Sequence, residues 1–208
     1  MRVEDWGLIP YEPAVQKQLQ YVETVVNGED DCLVVCTHPP VVTLGRATTS
    51  ADLTGWRGAT IESSRGGRAT YHGPNQIVLY PLVDLRRRNR DIHAYLRRLE
   101  AATVSALIEM GVANAEARTT KQGQISLTGV WVGEHKIASI GIAVRKWVTY
   151  HGVAINIAED AQAFVGIRPC GFAAGVMSSV ERELGQPIDR AAAQEILLRN
   201  FSAGLRPL

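Results

Sequence analysis

The chain has 208 residues, of which 46% are hydrophobic and 21% charged, and its formal net charge at pH 7 is +1. This balance is typical of a globular protein with a substantial core and gives no general case for binding nucleic acid or a membrane surface. The length suits a single domain over residues 1–208, and we find no uninterrupted apolar run of about 18 residues that would predict a membrane span.

Three cysteines are too few for a disulfide framework, and the opening "MRVEDWGLIPYEP" lacks the apolar run of a signal peptide. Cys32 and Cys36 lie in "DCLVVCTHPP", which predicts a buried strand with both side chains on one face. Four residues along a strand span roughly 13 Å, so neither a disulfide nor a metal site shared with His38 is expected. We therefore expect core packing for both thiols, no metal, and a reducing, cytoplasmic location.

The first predicted element is a helix over 11–26, in which four apolar residues recur at helical spacing: Val15, Leu19, Val22 and Val26. A strand is predicted at 32–37, followed by a Pro-Pro break and a second apolar run at 41–45. The polar segment 46–60 is predicted to be a surface loop, and a further strand is predicted over 77–85.

A second helix is expected after this strand, with Asp91 as its N-cap and Gly111 at its end. Its predicted apolar face comprises Ile92, Leu96, Leu99, Thr103, Ala106, Leu107 and Met110. A hairpin over 129–144, a strand over 148–158 and a final helix beginning at Asp189 complete the chain. Because strands outnumber helices and do not alternate with them strictly, we predict an α+β fold with helices packed on a mixed or antiparallel sheet.

Three stretches contain residue types suited to chemistry. In "SRGGRATYHGPNQ", adjacent glycines between two arginines allow close approach of the backbone to a ligand, although a turn with solvated arginines explains the same residues. In "GEHKIASIG", alternation places Lys136 on one strand face with Ala138 and Ile140, and turns His135 toward solvent. A lysine at such a position has a desolvated amine suited to acid–base work, but a surface lysine at a hairpin end remains the alternative.

The third stretch is "GIRPCGF", where Cys170 stands between a proline and a glycine. An ordinary thiol is only a few per cent thiolate at neutral pH, and a neighbouring ammonium would increase that fraction. Cys170 is thus either a nucleophile with a lysine partner or an inert, partly buried thiol. The distance between Lys136 and Cys170 is not determined by the sequence.

Five segments together resemble the lipoyl(octanoyl) transferases, in the order found in that family: "THPPVVTLGR", "RGGRATYHGPNQIVLYPLVDL", "GVWVGEHKIASIGIAV", "YHGVAINI" and "RPCGF". The resemblance spans about residues 30 to 175 and implies a fold similar to the lipoate and biotin protein ligases. It implies that Cys170 is the acyl-thioester nucleophile and Lys136 its partner. The substrate-contacting residues that it implies are Arg65, Gly66, Gly67, Arg68, Ala69, Thr70, Tyr71, His72, Ser139, Ile140, Gly141, His151, Gly152 and Val153.

The resemblance further implies ping-pong transfer of an octanoyl group from acyl carrier protein to a lysine of lipoyl domains, without a cofactor. The acceptors would be the lipoyl domains of 2-oxoacid dehydrogenases or the H protein of glycine cleavage. Arg168 stands where many relatives have Asn, and Asn75 where Gly is frequent, but neither departure removes a group that the chemistry needs.

Two other functions remain open. An ATP-dependent lipoate–protein ligase would share the fold and would not need Cys170, and a non-catalytic acyl-binding module would need neither Cys170 nor Lys136. The arginine-rich stretch 86–98 is either a docking patch for acidic carrier proteins or a solvated helix face.

Overall fold

The computed structural model of the protein describes residues 1–119, 121–122 and 125–206. The helices within these residues are α1 (Tyr11–Val26), α2 (Ile92–Glu109), α3 (Val180–Leu184) and α4 (Arg190–Gly204). The strands are β1 (Arg2–Leu8), β2 (Cys32–Thr37), β3 (Val41–Leu44), β4 (Thr60–Glu62), β5 (Thr70–His72), β6 (Gln76–Leu82), β7 (Ala115–Arg118), β8 (Lys121–Gln122), β9 (Ile125–Ser126), β10 (Gly129–Val132), β11 (His135–Arg145) and β12 (Val148–Asn156).

The main sheet has the strand order β1-β2-β6-β12-β11-β10-β7. Strands β1 and β2 are parallel, and the other neighbours are antiparallel. A smaller sheet places β3 between β4 and β5, and the short strands β8 and β9 pair with each other. The predicted α+β fold with a mixed sheet is confirmed, whereas the prediction of a single domain over residues 1–208 stays a prediction.

Helices cover both faces of the main sheet. On one face, α2 and α4 pack over a core that includes Leu33 and Val35, and on the other α1 packs over Cys32, Val34 and Cys36. Consecutive β2 residues thus alternate between two buried layers, as a central strand requires. The predicted core packing of Cys32 and Cys36 on one face is confirmed.

Local signals located the helix ends correctly. The carboxylates of Asp91 and Asp189 accept hydrogen bonds from the N–H groups of Ala94 and Ala191, which caps α2 and α4. Gly111, at φ 101°, follows the end of α2. The predicted hairpin is also confirmed, because β10 and β11 pair around residues 133–134.

The predicted helix over residues 11–26 is confirmed, but its apolar spacing indicates only part of the buried face. The buried residues of α1 are Tyr11, Ala14, Gln18, Val22 and Val25, whereas Val15, Leu19 and Val26 are only partly buried. The reason is a tertiary hydrogen bond: the Gln18 side-chain oxygen accepts from the N–H of His151, 2.7 Å away in β12. A polar side chain therefore occupies the middle of the buried stripe, which hydrophobic spacing alone does not indicate.

Candidate active site

Cys170 occupies a constrained turn. It is the central residue of a 3₁₀ turn, Pro169–Gly171, and its φ of 54° and ψ of 19° lie in the left-handed region. Its N–H donates to the Ala69 carbonyl at 2.9 Å, and the Gly171 N–H donates to the Arg168 carbonyl at 2.9 Å. A non-glycine residue rarely adopts this conformation unless its surroundings enforce it, and such residues cluster at functional sites.

The turn is held from the loop at residues 49–52. The buried Asp52 carboxylate binds the Arg68 guanidinium through contacts of 3.0 and 2.6 Å, and its backbone carbonyl accepts from the Arg168 N–H at 2.8 Å. Arg68 in turn lies against Gly171, where a Cβ atom would come within 2.6 Å of the guanidinium. Gly171 therefore leaves the space in which Arg68 packs beside Cys170.

Lys136 lies against the turn from β11. Its side chain is fully buried, and its Nζ donates to the Thr128 carbonyl at 2.8 Å and to Cys170 Sγ at 3.4 Å. A Cβ atom on Gly129, which has a φ of 145°, would lie 2.6 Å from Lys136 Cε, so glycine provides the channel for the lysine stem. The structure thus brings the ammonium of Lys136 to the sulfur of Cys170.

The strand face predicted for Lys136 was wrong. Val130 pairs with Ala138 but Trp131 pairs with Lys136, so Ile137 is an extra residue in β11. Ile137 and Ala138 both belong to the main core, which breaks the expected alternation. Lys136 therefore does not share a face with Ala138 and Ile140. His135 is exposed, as expected.

An inner cavity adjoins Cys170 between the main sheet and the 65–72 segment. Predicted substrate residues that line it are Arg65, Gly67, Thr70, His72, Ser139, Ile140, Gly141, His151, Gly152 and Val153. Four further lining residues were not predicted from sequence, because no local pattern marks them: Tyr11, Val78, Tyr80 and Ala154.

The deep end of the inner cavity carries neutral polar rings. Burial lowers the pKa of His151 to about 3, and burial, with a smaller contribution from the nearby Arg65 charge, lowers that of His72 well below its ordinary value. The Tyr11 ring stacks on both imidazoles, with ring centroids 5.7 Å from His72 and 6.2 Å from His151. Neutral, well-packed rings of this kind tolerate an apolar ligand.

Arg65 adds a buried positive charge to this wall. Its guanidinium donates to the Thr43 hydroxyl and carbonyl and to the Gly66 carbonyl. No carboxylate pairs with it among the residues that the structure describes. Burial lowers the pKa of Arg65 and leaves an arginine with a lower affinity for its proton than an exposed one.

A second space, the outer groove, also reaches Cys170. It is lined by Arg46, Gly66, Gly67, Arg68, Ile92, Leu96, Thr128, Ile140, Gly141, Ile142, Ala143, Val144 and Cys170. Gly67, Ile140, Gly141 and Cys170 line both spaces. The sulfur therefore stands where an inner cavity and an outer groove meet.

Two of the predicted substrate residues line neither space. Tyr71 points to the other side of its strand, where its hydroxyl donates to Asp160 at 3.1 Å and its ring packs on Phe164. Ala69 is buried and contributes its carbonyl to the Cys170 turn. Period-2 alternation along β5 explains the result for Tyr71, because its neighbours Thr70 and His72 both line the inner cavity.

The described part of the chain contains no group of three His, Cys, Asp or Glu side chains placed to hold a metal ion. Over the same residues, every helix is too short or too polar to cross a bilayer.

Comparison with known proteins places the chain in a family. Residues 10–202 match the model of the lipoyl protein ligase A/B catalytic domain. The chain is 47% identical to an octanoyltransferase of Bdellovibrio bacteriovorus, with 95% of each covered, and 37% identical to an octanoyltransferase of Syntrophotalea carbinolica, with 99% of this chain and 95% of the relative covered.

Solved structures of lipoate and biotin protein ligases have a fold similar to that of this chain. A lipoate-protein ligase A bound with ATP superimposes with a TM-score of 0.76 at 19% identity, covering 98% of this chain and 85% of that one. A biotin protein ligase from Aquifex aeolicus gives a TM-score of 0.57 at 11% identity, covering 99% of this chain and 69% of that one. The predicted resemblance is therefore confirmed, and the chain belongs to the lipoyl protein ligase A/B catalytic-domain family, among its octanoyltransferases.

Proposed function

We propose that this protein transfers an octanoyl or lipoyl group from acyl carrier protein to a lysine of a lipoyl domain, through a thioester on Cys170. The observation that carries the proposal is the 3.4 Å approach of the Lys136 ammonium to Cys170 Sγ at the junction of the inner cavity and the outer groove. The names of the similar octanoyltransferases support the same transfer.

In the first half-reaction the Lys136 ammonium stabilises the Cys170 thiolate, which attacks the carbonyl carbon of the octanoyl thioester. A bond forms between Cys170 Sγ and the acyl carbon, and the bond from that carbon to the carrier sulfur breaks. The departing thiolate takes a proton from Lys136, which becomes a neutral amine. One thioester replaces another, so the step is nearly balanced and needs no ATP.

In the second half-reaction a lysine amine of the acceptor attacks the acyl-enzyme. An amide bond forms, the bond to Cys170 Sγ breaks, and the attacking nitrogen passes a proton to the neutral Lys136. The ammonium–thiolate pair is thereby restored. Conversion of a thioester to an amide is downhill, which makes the overall transfer favourable.

Ser139 is a candidate donor for the tetrahedral oxyanion. Its Oγ is buried, lines the inner cavity beside Cys170, and has no hydrogen-bond partner among the described residues. The N–H groups of Cys170 and Gly171 already donate to the carbonyls of Ala69 and Arg168. An unpartnered hydroxyl in a water-poor site therefore complements charge that develops only in the transition state.

The inner cavity is the proposed slot for the acyl chain; its free volume is about 30 Å³, so its lining must open to admit eight carbons. Most of the side chains that line it are buried, and burial keeps the imidazoles of His72 and His151 neutral. Each buried methylene contributes about 0.8 kcal/mol, so an eight-carbon chain has several kcal/mol available for binding. His72 and His151 are both buried and both line this slot.

The proposed partners are octanoyl acyl carrier protein as donor and, as acceptors, the lipoyl domains of 2-oxoacid dehydrogenases or the H protein of glycine cleavage, in the cytoplasm. The arginine-rich stretch 86–98 remains a predicted docking patch. Several of its arginines already have partners within the protein. Arg86 and Arg87 form ion pairs with Asp84. Arg88 forms an ion pair with Asp31, and Arg98 donates a hydrogen bond to the Gly204 carbonyl.

The alternative is an ATP-dependent ligase, which the fold of lipoate-protein ligase A favours. Transfer from octanoyl acyl carrier protein in the absence of ATP distinguishes the two functions. A ligase requires free acid and ATP, and it does not form a thioester on Cys170.

Intact-protein mass spectrometry tests the nucleophile. Incubation with octanoyl acyl carrier protein is expected to add one octanoyl group to the unmodified protein and none to Cys170→Ser. Cys36→Ala is the matched control and should retain the adduct, because Cys36 is buried in β2 away from both spaces. Persistence of the adduct in a folded Cys170→Ser protein would exclude Cys170 as the acyl carrier.

A further inference from the structure

We propose that the outer groove binds the pantetheine arm of the thioester donor and that Arg46 at its rim binds the phosphodiester of that arm. This inference rests on the proposed acyl transfer and adds a subsite and a specificity residue to it. The ligand class is a phosphopantetheine thioester, in which an amide-containing chain links a sulfur to a phosphate.

The position of Cys170 requires two separate spaces for the two parts of a thioester. When Sγ attacks the carbonyl carbon, the acyl chain and the leaving sulfur diverge from that carbon. The inner cavity, the proposed acyl slot, is lined by buried side chains such as His72, His151 and Tyr80. The donor arm is still joined to its carrier and must leave through the outer groove.

The walls of the outer groove suit such an arm. Ile92 and Leu96 from the first two turns of α2 are partly buried and face Ile142 and Val144 across the groove. These apolar walls match the methyl and methylene groups of the arm. The glycines Gly66 and Gly67 line the groove without side chains, which lets a narrow chain approach the backbone closely.

Arg46 supplies a charge that has no partner among the residues that the structure describes. Its N–H donates to the Arg65 carbonyl at 3.1 Å, and the next N–H, from Ala47, donates to the Gly67 carbonyl at 3.0 Å, which fixes residue 46 beside the glycine turn. Its side chain is exposed at the groove and makes no ion pair or hydrogen bond to any residue that the structure describes.

A comparison with Arg68 identifies Arg46 as the candidate for binding the phosphate. Both arginines line the outer groove, but Arg68 is neutralised by the buried Asp52 and holds the Cys170 turn. The Arg46 guanidinium is unpaired over the described part of the chain, and its fork of N–H donors matches the oxygens of a phosphate. Charge complementarity thus assigns the phosphodiester to Arg46.

The test compares two donors that differ only in one phosphate: S-octanoyl-pantetheine and S-octanoyl-4′-phosphopantetheine. The rate of acylation of Cys170 is followed by intact mass at donor concentrations below saturation, with the unmodified protein, Arg46→Ala and Arg57→Ala. Arg57 is a matched control, because it is an exposed arginine of the same 46–60 segment that lines a different cavity.

We expect Arg46→Ala to lower kcat/KM for the phosphorylated donor by about tenfold and to change the rate with the unphosphorylated donor by less than about twofold. Added salt should slow only the phosphorylated donor, and only when Arg46 is present. Arg57→Ala should leave both rates unchanged.

A loss in Arg46→Ala that is equal for the two donors, or no loss with either, would overturn the inference while leaving the acyl transfer intact. An unmodified protein that forms no adduct with these donors or with octanoyl acyl carrier protein would overturn the proposed function itself, and the inference with it. The two failures are therefore distinguishable.

Discussion

Cys36 and Cys170 carry the same thiol in opposite surroundings. Cys36 lies within β2, where burial raises the pKa of its thiol and its polar contact is His38 Nε2 at 3.7 Å. Burial also lowers the pKa of His38, so this imidazole is neutral and offers no positive charge. Cys170 lies in a partly exposed left-handed turn with the Lys136 ammonium 3.4 Å away. We propose that backbone geometry and a nearby cation, and not residue type, prepare Cys170 for chemistry.

The largest expected difference is in alkylation of the folded protein. Iodoacetamide should modify Cys170 at least about a thousandfold faster than Cys36, because a buried thiol reacts only when the surrounding structure opens. Peptide mass spectrometry over a time course measures the two rates. In denaturant the rates should become similar, and equal rates in the folded protein would refute the contrast.

The second prediction removes the cation. Lys136→Met keeps a long apolar side chain in the channel beside Gly129 but deletes the ammonium, and we expect octanoyl transfer to fall by about a hundredfold or more. Lys146→Met is the control, because Lys146 is an exposed lysine paired with Glu23 and should be dispensable. Near-normal transfer by a folded Lys136→Met protein would eliminate the role proposed for Lys136.

The smallest expected effect is on the pH dependence of stability, and it concerns the neutral histidines of the inner cavity. Because burial lowers the pKa of His151 to about 3, the unfolded chain binds a proton at this residue below about pH 6.5 and the folded protein does not. Stability from this group is therefore complete above about pH 6.5 and decreases as the pH falls toward 3. Between pH 7 and pH 5, the unfolding free energy of the His151→Asn protein should fall by about 2 kcal/mol less than that of the unmodified protein. Asparagine suits this position because it tolerates the left-handed φ of 57°.

Urea unfolding at the two pH values measures this difference, and the unmodified protein provides the reference for titration of all other groups. Equal losses of unfolding free energy in the two proteins would contradict a neutral, buried His151.

Much of the secondary structure was predictable because its signals are local. Asp91 and Asp189 cap helices through hydrogen bonds to groups two or three residues away, and the 133–134 turn lies between two strands that pair directly. Residues 166–172 were recognisable as unusual for the same reason, since proline and glycine flank a cysteine. Where a long-range contact competed with the local pattern, prediction failed, as it did for Gln18 in α1.

By itself, the sequence determined three of the four helices and six of the twelve strands among the described residues, the α+β class, and the two side chains, Lys136 and Cys170, that we propose for acyl transfer. Only the tertiary structure decided that these two side chains meet, since 34 residues separate them along the chain. Their approach depends on the extra residue at Ile137 and on a left-handed turn held by Asp52 and Ala69. Hydrophobic periodicity contains no information about either, because it records which side of a strand or helix is buried and not how distant segments are brought together.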